Sequence, residues 1–161
     1  MTYALAGEDP GLTAGVEKLR VLAEADGIAF TTADFGGVRT EADTTRILKY
    51  REDDYKVYVA KLEKMTGLKV TPVAVEKWRP IAPFGNSFHN WGCARDLKIL
   101  KKPDSFTEAE ALRRLGSHAP ACGLRWGGNF KNRVDPPHFE LAITLMEARA
   151  RWEQRHPASV T

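Results

Sequence analysis

The chain has 161 residues, 43% of them hydrophobic and 28% charged, a composition typical of one globular domain that can bury a core and not of a disordered chain. The net charge of +3 is a mild excess of basic residues spread along the chain. This pattern argues against nucleic-acid binding. We therefore expect a single domain over residues 1–161 that acts as a monomer, with no nucleic-acid partner.

The cysteines and the N-terminus indicate whether the chain is built for export or for a membrane. The cysteines Cys93 and Cys122 are too few for a disulfide scaffold, although a bridge between them stays open. The N-terminus has neither the basic region nor the long apolar stretch of a signal peptide, and no apolar run is long enough to span a bilayer. We expect no membrane insertion and no export directed by this chain itself.

The first half of the chain predicts two helices separated by a strand. Apolar residues recur at helical spacing over Leu12–Ala25, and β-branched and aromatic residues follow at Ile28–Thr32. A capping-box pattern at Thr40–Asp43 begins a second helix. This helix continues to Thr66, and a break near Asp53 stays open.

The second half of the chain predicts shorter elements. Prolines interrupt β-type residues over Val70–Pro83, which predicts a loop or an irregular edge strand. A turn at Gly85-Asn86 should lead into a strand that ends near Leu97–Leu100. The remaining predicted elements are a capped helix from Thr107 to Gly116, a loop over Ser117–Gly123, a short strand at His138–Glu140 and a helix over Leu141–His156.

Three side chains could form a catalytic zinc site. His89 and Asp96 lie in the segment 87–96 (SFHNWGCARD), and His138 follows two prolines. Catalytic zinc takes three protein ligands from histidine and carboxylate side chains and keeps a fourth position for water. Asp135, three residues before His138, is placed to accept a proton. Ligand types alone leave an alternative open, in which the histidines are unrelated polar residues and Asp96 caps a local element.

The arrangement of these residues is more specific than their types. The pattern Ser87-x-His89-x-x-Gly92-x-Ala94-x-Asp96, followed by Trp126-Gly127-Gly128 and by Asp135-x-x-His138-Phe139, closely resembles the M15 family of zinc peptidases. This family includes VanY-like D-Ala-D-Ala carboxypeptidases and phage endolysins that cut the L-Ala-D-Glu bond. The resemblance covers the chain from about Phe35 to Glu140, in the order that the family uses.

The resemblance implies a fold and an activity. The fold is α+β, of the type shared with the Hedgehog signalling domain, in which helices pack against a small antiparallel sheet. The activity is a zinc-dependent hydrolysis of peptidoglycan stem peptides at the bacterial cell wall. By motif, His89, Asp96 and His138 would bind Zn²⁺ and Asp135 would be the general acid and base.

The resemblance also implies residues on the substrate side. Arg39, at the corner between the first strand and the second helix, matches an arginine that holds a substrate carboxylate or carbonyl in this family. A bidentate guanidinium suits that task. Ser87 and Trp126 are candidate substrate-binding residues, although a serine here is as often a turn residue and the indole could instead pack beneath His138.

Alternatives remain open within and outside the peptidase interpretation. The bond cut could be L-Ala-D-Glu or the terminal D-Ala-D-Ala, and we favour the endopeptidase because a small chain without a signal peptide suits an endolysin released by a holin. A domain of a longer exported protein would look the same. A non-catalytic zinc module, Hedgehog-like or part of a phage particle, would need neither a base nor a carboxylate clamp, so Asp135 and Arg39 argue against it.

Overall fold

The computed structural model describes residues 5–34, 36–69, 82 and 84–157. The chain divides into two compact units, residues 1–39 with 87–161 and residues 40–86. All residues predicted to form the site lie in the first unit. The prediction of one domain over the whole chain stays a prediction.

The described elements are helices and short strands in a mixed order. They are α1 (Pro10–Ala25), β1 (Ala29–Thr32), α2 (Glu41–Thr66), β2 (Ala94–Lys101), α3 (Glu108–His118), β3 (Leu124–Trp126), β4 (His138–Leu141) and α4 (Leu145–Arg155). Short 3₁₀ helices lie at Phe88–Trp91, Ala119–Cys122 and Gly127–Asn129. This content confirms the predicted α+β class. None of the described helices combines the length and hydrophobicity that crossing a membrane requires.

The strands of the first unit form an antiparallel sheet in the order β1-β2-β4-β3. Asp96 on β2 lies directly opposite His138 on β4, and Arg95 lies opposite Phe139. Because side chains alternate between the two faces of a strand, Asp96, His138 and Glu140 project from one face of the sheet. The register therefore brings two of the predicted metal ligands side by side.

The core includes side chains of the sheet and of the two helices α1 and α3. Phe139 and Leu97 of the sheet belong to the same buried cluster as Leu12 and Leu19 of α1 and Leu115 of α3. Each of these side chains is at most 2% exposed. Burial of each contributes roughly 1.5–3 kcal/mol, which fixes the strands that carry the site.

The second unit contains α2, which begins and ends as its sequence predicts. Thr40 and Asp43 form the capping box, and Gly67 ends the helix at a φ of +69°, a conformation that favours glycine. The helix is continuous through Asp53, so the break that the sequence left open does not occur. The predicted loop Val70–Pro83 falls, except for residue 82, outside the described residues.

Two predicted elements near the site are wrong in type. The turn at Gly85-Asn86 leads into the 3₁₀ helix Phe88–Trp91 and not directly into β2. The segment Ser117–Gly123 is the end of α3 followed by a second 3₁₀ helix, where a loop was expected. Short 3₁₀ turns have little periodicity of their own, so hydrophobic patterning does not reveal them.

The C-terminal elements differ in their boundaries. The predicted helix over Leu141–His156 begins only at Leu145, because Leu141 still pairs with Leu124 in the sheet and Thr144 caps the helix. The strand β3 was not predicted as a strand. Its three residues are too short for a recognisable alternation of apolar and polar side chains.

Candidate metal centre

The structure brings the three predicted ligands together in one cluster. His89 Nε2 and His138 Nδ1 each lie 3.1 Å from Asp96 Oδ1, and the two nitrogens lie 3.2 Å apart. Within the described part of the chain, this trio of His, Cys, Asp or Glu residues could hold a metal ion. Both histidines are buried and Asp96 is half-buried.

The spacing of the donor atoms fits zinc. Ligands about 2.0–2.2 Å from a tetrahedrally coordinated ion lie roughly 3.3–3.6 Å from one another. The observed separations of 3.1–3.2 Å are close to that range. Two imidazoles and one carboxylate are also the donor types that catalytic zinc takes, with a fourth position left for water or substrate.

His89 is aimed by the short helix that carries it and by a backbone carbonyl. Ser87 caps this helix by accepting a hydrogen bond from the backbone N–H of His89 at 3.3 Å, and Gly92 ends it at a φ of +68°. The Nδ1 atom of His89 lies 2.9 Å from the carbonyl oxygen of Gly37. Because a carbonyl only accepts, Nδ1 carries the proton and the lone pair of Nε2 faces the cluster.

His138 is aimed by a carboxylate on the same strand. Its Nε2 atom donates to Glu140 Oε2 at 2.8 Å, which leaves Nδ1 for a metal ion. His138 and Glu140 face the same way, as residues two apart on a strand do. Burial opposes protonation, but hydrogen bonds with Asp96 and Glu140 outweigh it and raise the pKa of His138 to about 9. Metal binding at Nδ1 would therefore displace a proton.

Asp96 is held on several sides. Its backbone N–H donates to the Gly36 carbonyl at 2.7 Å, and its Oδ2 accepts from Arg39 Nη2 at 2.5 Å. Burial alone would raise the pKa of Asp96, but its close contacts with the rings of His138 and His89 and the charge of Arg39 lower it well below its usual range. The carboxylate is therefore ionised and ready to bind a cation.

Arg39 contacts the donor cluster through its guanidinium, which binds Asp96. Besides binding Asp96, it donates its backbone N–H to the His89 carbonyl at 3.0 Å, and its own carbonyl accepts from Asn90 at 3.1 Å. The residue is thus fixed by its backbone and by its guanidinium. Its role toward substrate stays a prediction.

Asp135 lies on the segment that leads into β4, and a glycine allows that segment to come close. The Asp135 backbone N–H donates to the Gly127 carbonyl at 2.9 Å, and a Cβ on Gly127 would lie 2.3 Å from the Asp135 carbonyl oxygen. The residue as a whole is exposed. Two causes raise the pKa of Asp135: the larger is partial desolvation of its carboxylate, and the smaller is repulsion from Asp96. A raised pKa suits a group that accepts and returns a proton.

Trp126 and Ser87 both have structural contacts. The Trp126 indole N–H donates to the Pro136 carbonyl at 2.6 Å, and its ring packs over Gly116 and Gly128, where a Cβ would lie 2.2 Å from it. Trp126 thus holds the segment between Asp135 and His138, and Ser87 caps the helix that carries His89. A substrate contact by either residue stays a prediction.

Cys93 and His118 take structural positions outside the cluster. Both cysteines are free and buried, and burial raises the pKa of the Cys93 thiol to about 11. Cys93 is 0% exposed and packs in the core. His118 is only partly exposed, and its Nε2 lies 2.6 Å from Asp26 Oδ2.

Comparison with known proteins found a family that matches part of the chain. Residues 82–141 match the family described as D-alanyl-D-alanine carboxypeptidase, Peptidase_M15_4. Comparison with curated proteins found no significant match.

The fold is similar to those of solved peptidases. A mutant of the vancomycin resistance D,D-pentapeptidase VanY from a VanB-type resistance cassette, in complex with Zn(II), gives a TM-score of 0.60 at 22% identity over 92% of this chain and 79% of that chain. VanYB in complex with D-Alanine-D-Alanine gives 0.58 at 21% identity over 92% and 78%. The L-Ala D-Glu endopeptidase ChiX of Serratia marcescens gives a TM-score of 0.47 at 16% identity over 98% of this chain and 93% of that chain.

These findings confirm the resemblance that the sequence predicts. The match of residues 82–141 supports the predicted peptidase family, and the likeness to VanY confirms the DD-peptidase-like fold. The predicted cofactor, Zn²⁺, is supported by the His-Asp-His cluster, which could hold a metal ion.

Proposed function

We propose that this chain, an M15-type zinc metallopeptidase, hydrolyses an amide bond of a peptidoglycan stem peptide at the bacterial cell wall. The observation that carries the proposal is the cluster of His89, Asp96 and His138, which supplies three donors at zinc-like spacing. A carboxylate, Asp135, and a guanidinium, Arg39, lie around it. This is the donor number of a catalytic zinc site and not of a closed structural one.

His89, Asp96 and His138 would hold the ion, and Asp135 would move the proton. When bound, Zn²⁺ polarises the scissile carbonyl and lowers the pKa of water. Asp135 would accept the proton of the attacking water and pass it to the leaving amine, as general acid-base catalysis requires. Its raised pKa supports this role, because transfer in both directions needs a group that is neither strongly acidic nor strongly basic.

Arg39 would hold the substrate. Its guanidinium Nη2 lies 2.5 Å from Asp96 Oδ2, so its positive charge directly contacts a member of the donor cluster. At this distance it can bind a substrate carboxylate or the oxygen that gains charge during attack.

The terminal D-Ala-D-Ala bond has the stronger support as the target. The family that residues 82–141 match is described by this activity. A free carboxylate also lies one residue beyond the bond that a D,D-carboxypeptidase cuts, within the reach of a guanidinium beside the metal. The L-Ala-D-Glu endopeptidase activity, which the small chain favours, stays a prediction.

Mass spectrometry of purified muropeptides after digestion separates the two activities. Loss of a terminal D-alanine from pentapeptide stems identifies the carboxypeptidase, whereas release of stem peptides beginning with D-glutamate identifies the endopeptidase. Either activity should disappear with a chelator and return with zinc. If the zinc-loaded protein cleaves no peptidoglycan of any chemotype, the chain is a non-catalytic zinc module and the proposal fails.

A further inference from the structure

A buried carboxylate links the metal ligand His138 to an arginine on the neighbouring strand. Glu140 Oε2 accepts from His138 Nε2 at 2.8 Å, and Glu140 Oε1 accepts from Arg125 Nη2 at 2.7 Å. The Glu140 side chain is 7% exposed and that of Arg125 is 44% exposed. The chain of contacts therefore runs from solvent to the donor cluster.

The strand register sets up this chain of contacts. Glu140 follows His138 by two residues on β4, so both project from the same face. Arg125 on β3 lies directly opposite Glu140, and Ala94 lies opposite it on β2. A small residue on one side and a cation on the other leave Glu140 room to turn toward His138 and Arg125.

Arg125 is fixed by more than its ion pair. Its Nη2 also donates to the Ile143 carbonyl at 2.8 Å, and its guanidinium carbon lies 5.3 Å from the centre of the Phe88 ring. Phe88 immediately precedes His89 in the 3₁₀ helix. One cation thus contacts both elements that carry histidine ligands, the 3₁₀ helix through Phe88 and β4 through Glu140.

The chemistry of a buried carboxylate explains why the pair matters. A carboxylate removed from water is costly unless a cation and hydrogen bonds compensate it, and Arg125 supplies both. The carboxylate in turn accepts the Nε2 proton of His138, which fixes the ring and leaves Nδ1 for the ion. Carboxylate partners of this kind also make an imidazole a stronger ligand.

We propose that Glu140 and Arg125 are positioning residues that set the zinc affinity of the site through His138. Neither supplies a donor atom to the cluster. The inference rests on the proposed function only in taking the ion to be zinc.

Zinc affinity of the purified protein tests the proposal without any peptidase assay. A competition titration with a chromophoric chelator measures the dissociation constant for Zn²⁺ in Glu140→Ala, Arg125→Ala and the double variant. We expect Glu140→Ala to weaken zinc binding by about 10- to 100-fold, as loss of such partners does in other sites. Arg125→Ala should weaken it less, and the double variant should be little worse than Glu140→Ala because the two residues act in series.

Matched controls and a second readout separate positioning from mere stability. Glu153→Ala and Arg113→Ala, at exposed positions on α4 and α3, should bind zinc as the wild type does. In zinc-loaded wild type, the Nε2 proton of His138 should give an NMR signal protected from exchange by Glu140, and this signal should be lost in Glu140→Ala. Glu140→Gln keeps an acceptor oxygen, so it should retain part of the zinc affinity and part of the NMR signal of the His138 Nε2 proton.

The outcomes that overturn the proposal are definite. Zinc binding by Glu140→Ala within about twofold of wild type would overturn it, given the expected size of such effects. If Glu140→Ala does not fold, Arg125→Ala takes its place as the test, because the Arg125 side chain is half-exposed. An unchanged dissociation constant for Zn²⁺ in Arg125→Ala would then overturn the proposal. Weakened zinc binding in a protein that cleaves no muropeptide would support this inference while refuting the proposed function.

Discussion

Asp135 and His138 belong to one short segment but have separable roles. We expect Asp135→Ala to keep zinc, because it removes no donor atom of the cluster, and to lose roughly 10²- to 10⁴-fold in turnover because proton transfer is lost. His138→Ala should lose both zinc and activity. Metal analysis by mass spectrometry, paired with muropeptide digestion, measures the two effects on the same preparations.

A matched histidine provides the control for this comparison. His156 is exposed at the end of α4, so His156→Ala should keep both zinc and activity. Full zinc content and full turnover in His138→Ala would contradict the assignment of this ligand. Full turnover in Asp135→Ala would contradict the assignment of the base.

Residue types and their order made most of the candidate site predictable. His89, Asp96, Asp135 and His138 stand out as a motif, and the structure brings the three expected ligands together. The contact between Glu140 and Arg125 was not predicted as a pair, because it depends on the register between β3 and β4. The two-residue spacing of His138 and Glu140 was its only signal in the sequence.

At the level of elements, Gly127 allows the turn before Asp135 to lie against β4. In Gly127→Ala the new Cβ would meet the Asp135 carbonyl oxygen at 2.3 Å and His138 Cβ at 2.9 Å, so the backbone must shift. We expect a loss of about 1–3 kcal/mol in the free energy of unfolding and a weaker affinity for zinc. Urea unfolding and a zinc titration measure these two quantities.

Gly123 is the matched control for that substitution. A Cβ there meets nothing within 4 Å, but its φ of +72° is unfavourable for alanine. Gly123→Ala should therefore lose about 1–2 kcal/mol of stability and keep its zinc affinity. Equal zinc affinities in the two variants would show that Gly127 matters for stability alone.

The contact between the end of α1 and the last turn of α3 predicts a pH dependence. Asp26 accepts hydrogen bonds from Arg114 at 2.8 Å and from His118 at 2.6 Å, and these lower the pKa of Asp26 to about 2. Because the folded pKa lies below the unfolded value of about 3.9, the stabilisation is full above pH ~4 and is lost as the pH falls toward 2.

The corresponding variant is Asp26→Asn. After allowance for solvent screening, we expect it to lose roughly 1 kcal/mol at neutral pH. In urea unfolding curves, the difference from wild type should be constant from pH 7 to 5 and shrink below pH ~4. A difference that grows as the pH falls would refute the assignment of the effect to this carboxylate.

Capping residues made the helices predictable. The 3₁₀ turns were not predicted, because such short turns have no hydrophobic periodicity. Thr40 with Asp43 and Thr107 with Glu110 begin helices where the sequence predicted them. The helix predicted from Leu141 begins later because pairing with β3 extends the strand past Glu140. Local sequence propensity does not predict this pairing, because the partner strand β3 has only three residues.

At the scale of the whole first unit, a buried ion pair joins the N-terminal segment to the sheet. Glu8 binds Arg95 through two hydrogen bonds of 2.5 and 2.6 Å, and the two side chains are 1% and 2% exposed. Thr13 of α1 donates to the same carboxylate at 2.6 Å. Arg95 neighbours the ligand Asp96 on β2, so this contact anchors the strand that carries the site.

Removal of the Glu8 carboxylate should destabilise the protein strongly. We expect Glu8→Ala to lose about 3–5 kcal/mol, because it takes away the carboxylate that a buried guanidinium binds. Glu153→Ala, which breaks an exposed ion pair with Arg149, should have a small effect. Urea unfolding of both variants measures the difference, and a Glu8→Ala variant as stable as Glu153→Ala would contradict the importance of this pair.

The sequence by itself determined the helices with their caps, the identity of the donors and, through the resemblance, the fold class and the chemistry of zinc. Only the tertiary structure decided which ring nitrogens face the donor cluster, that Arg39 binds Asp96, and that Glu140 links His138 to Arg125. The physical reason is distance along the chain. Asp96 and His138 are separated by 42 positions and meet only through strand register, which short-range periodicity does not encode.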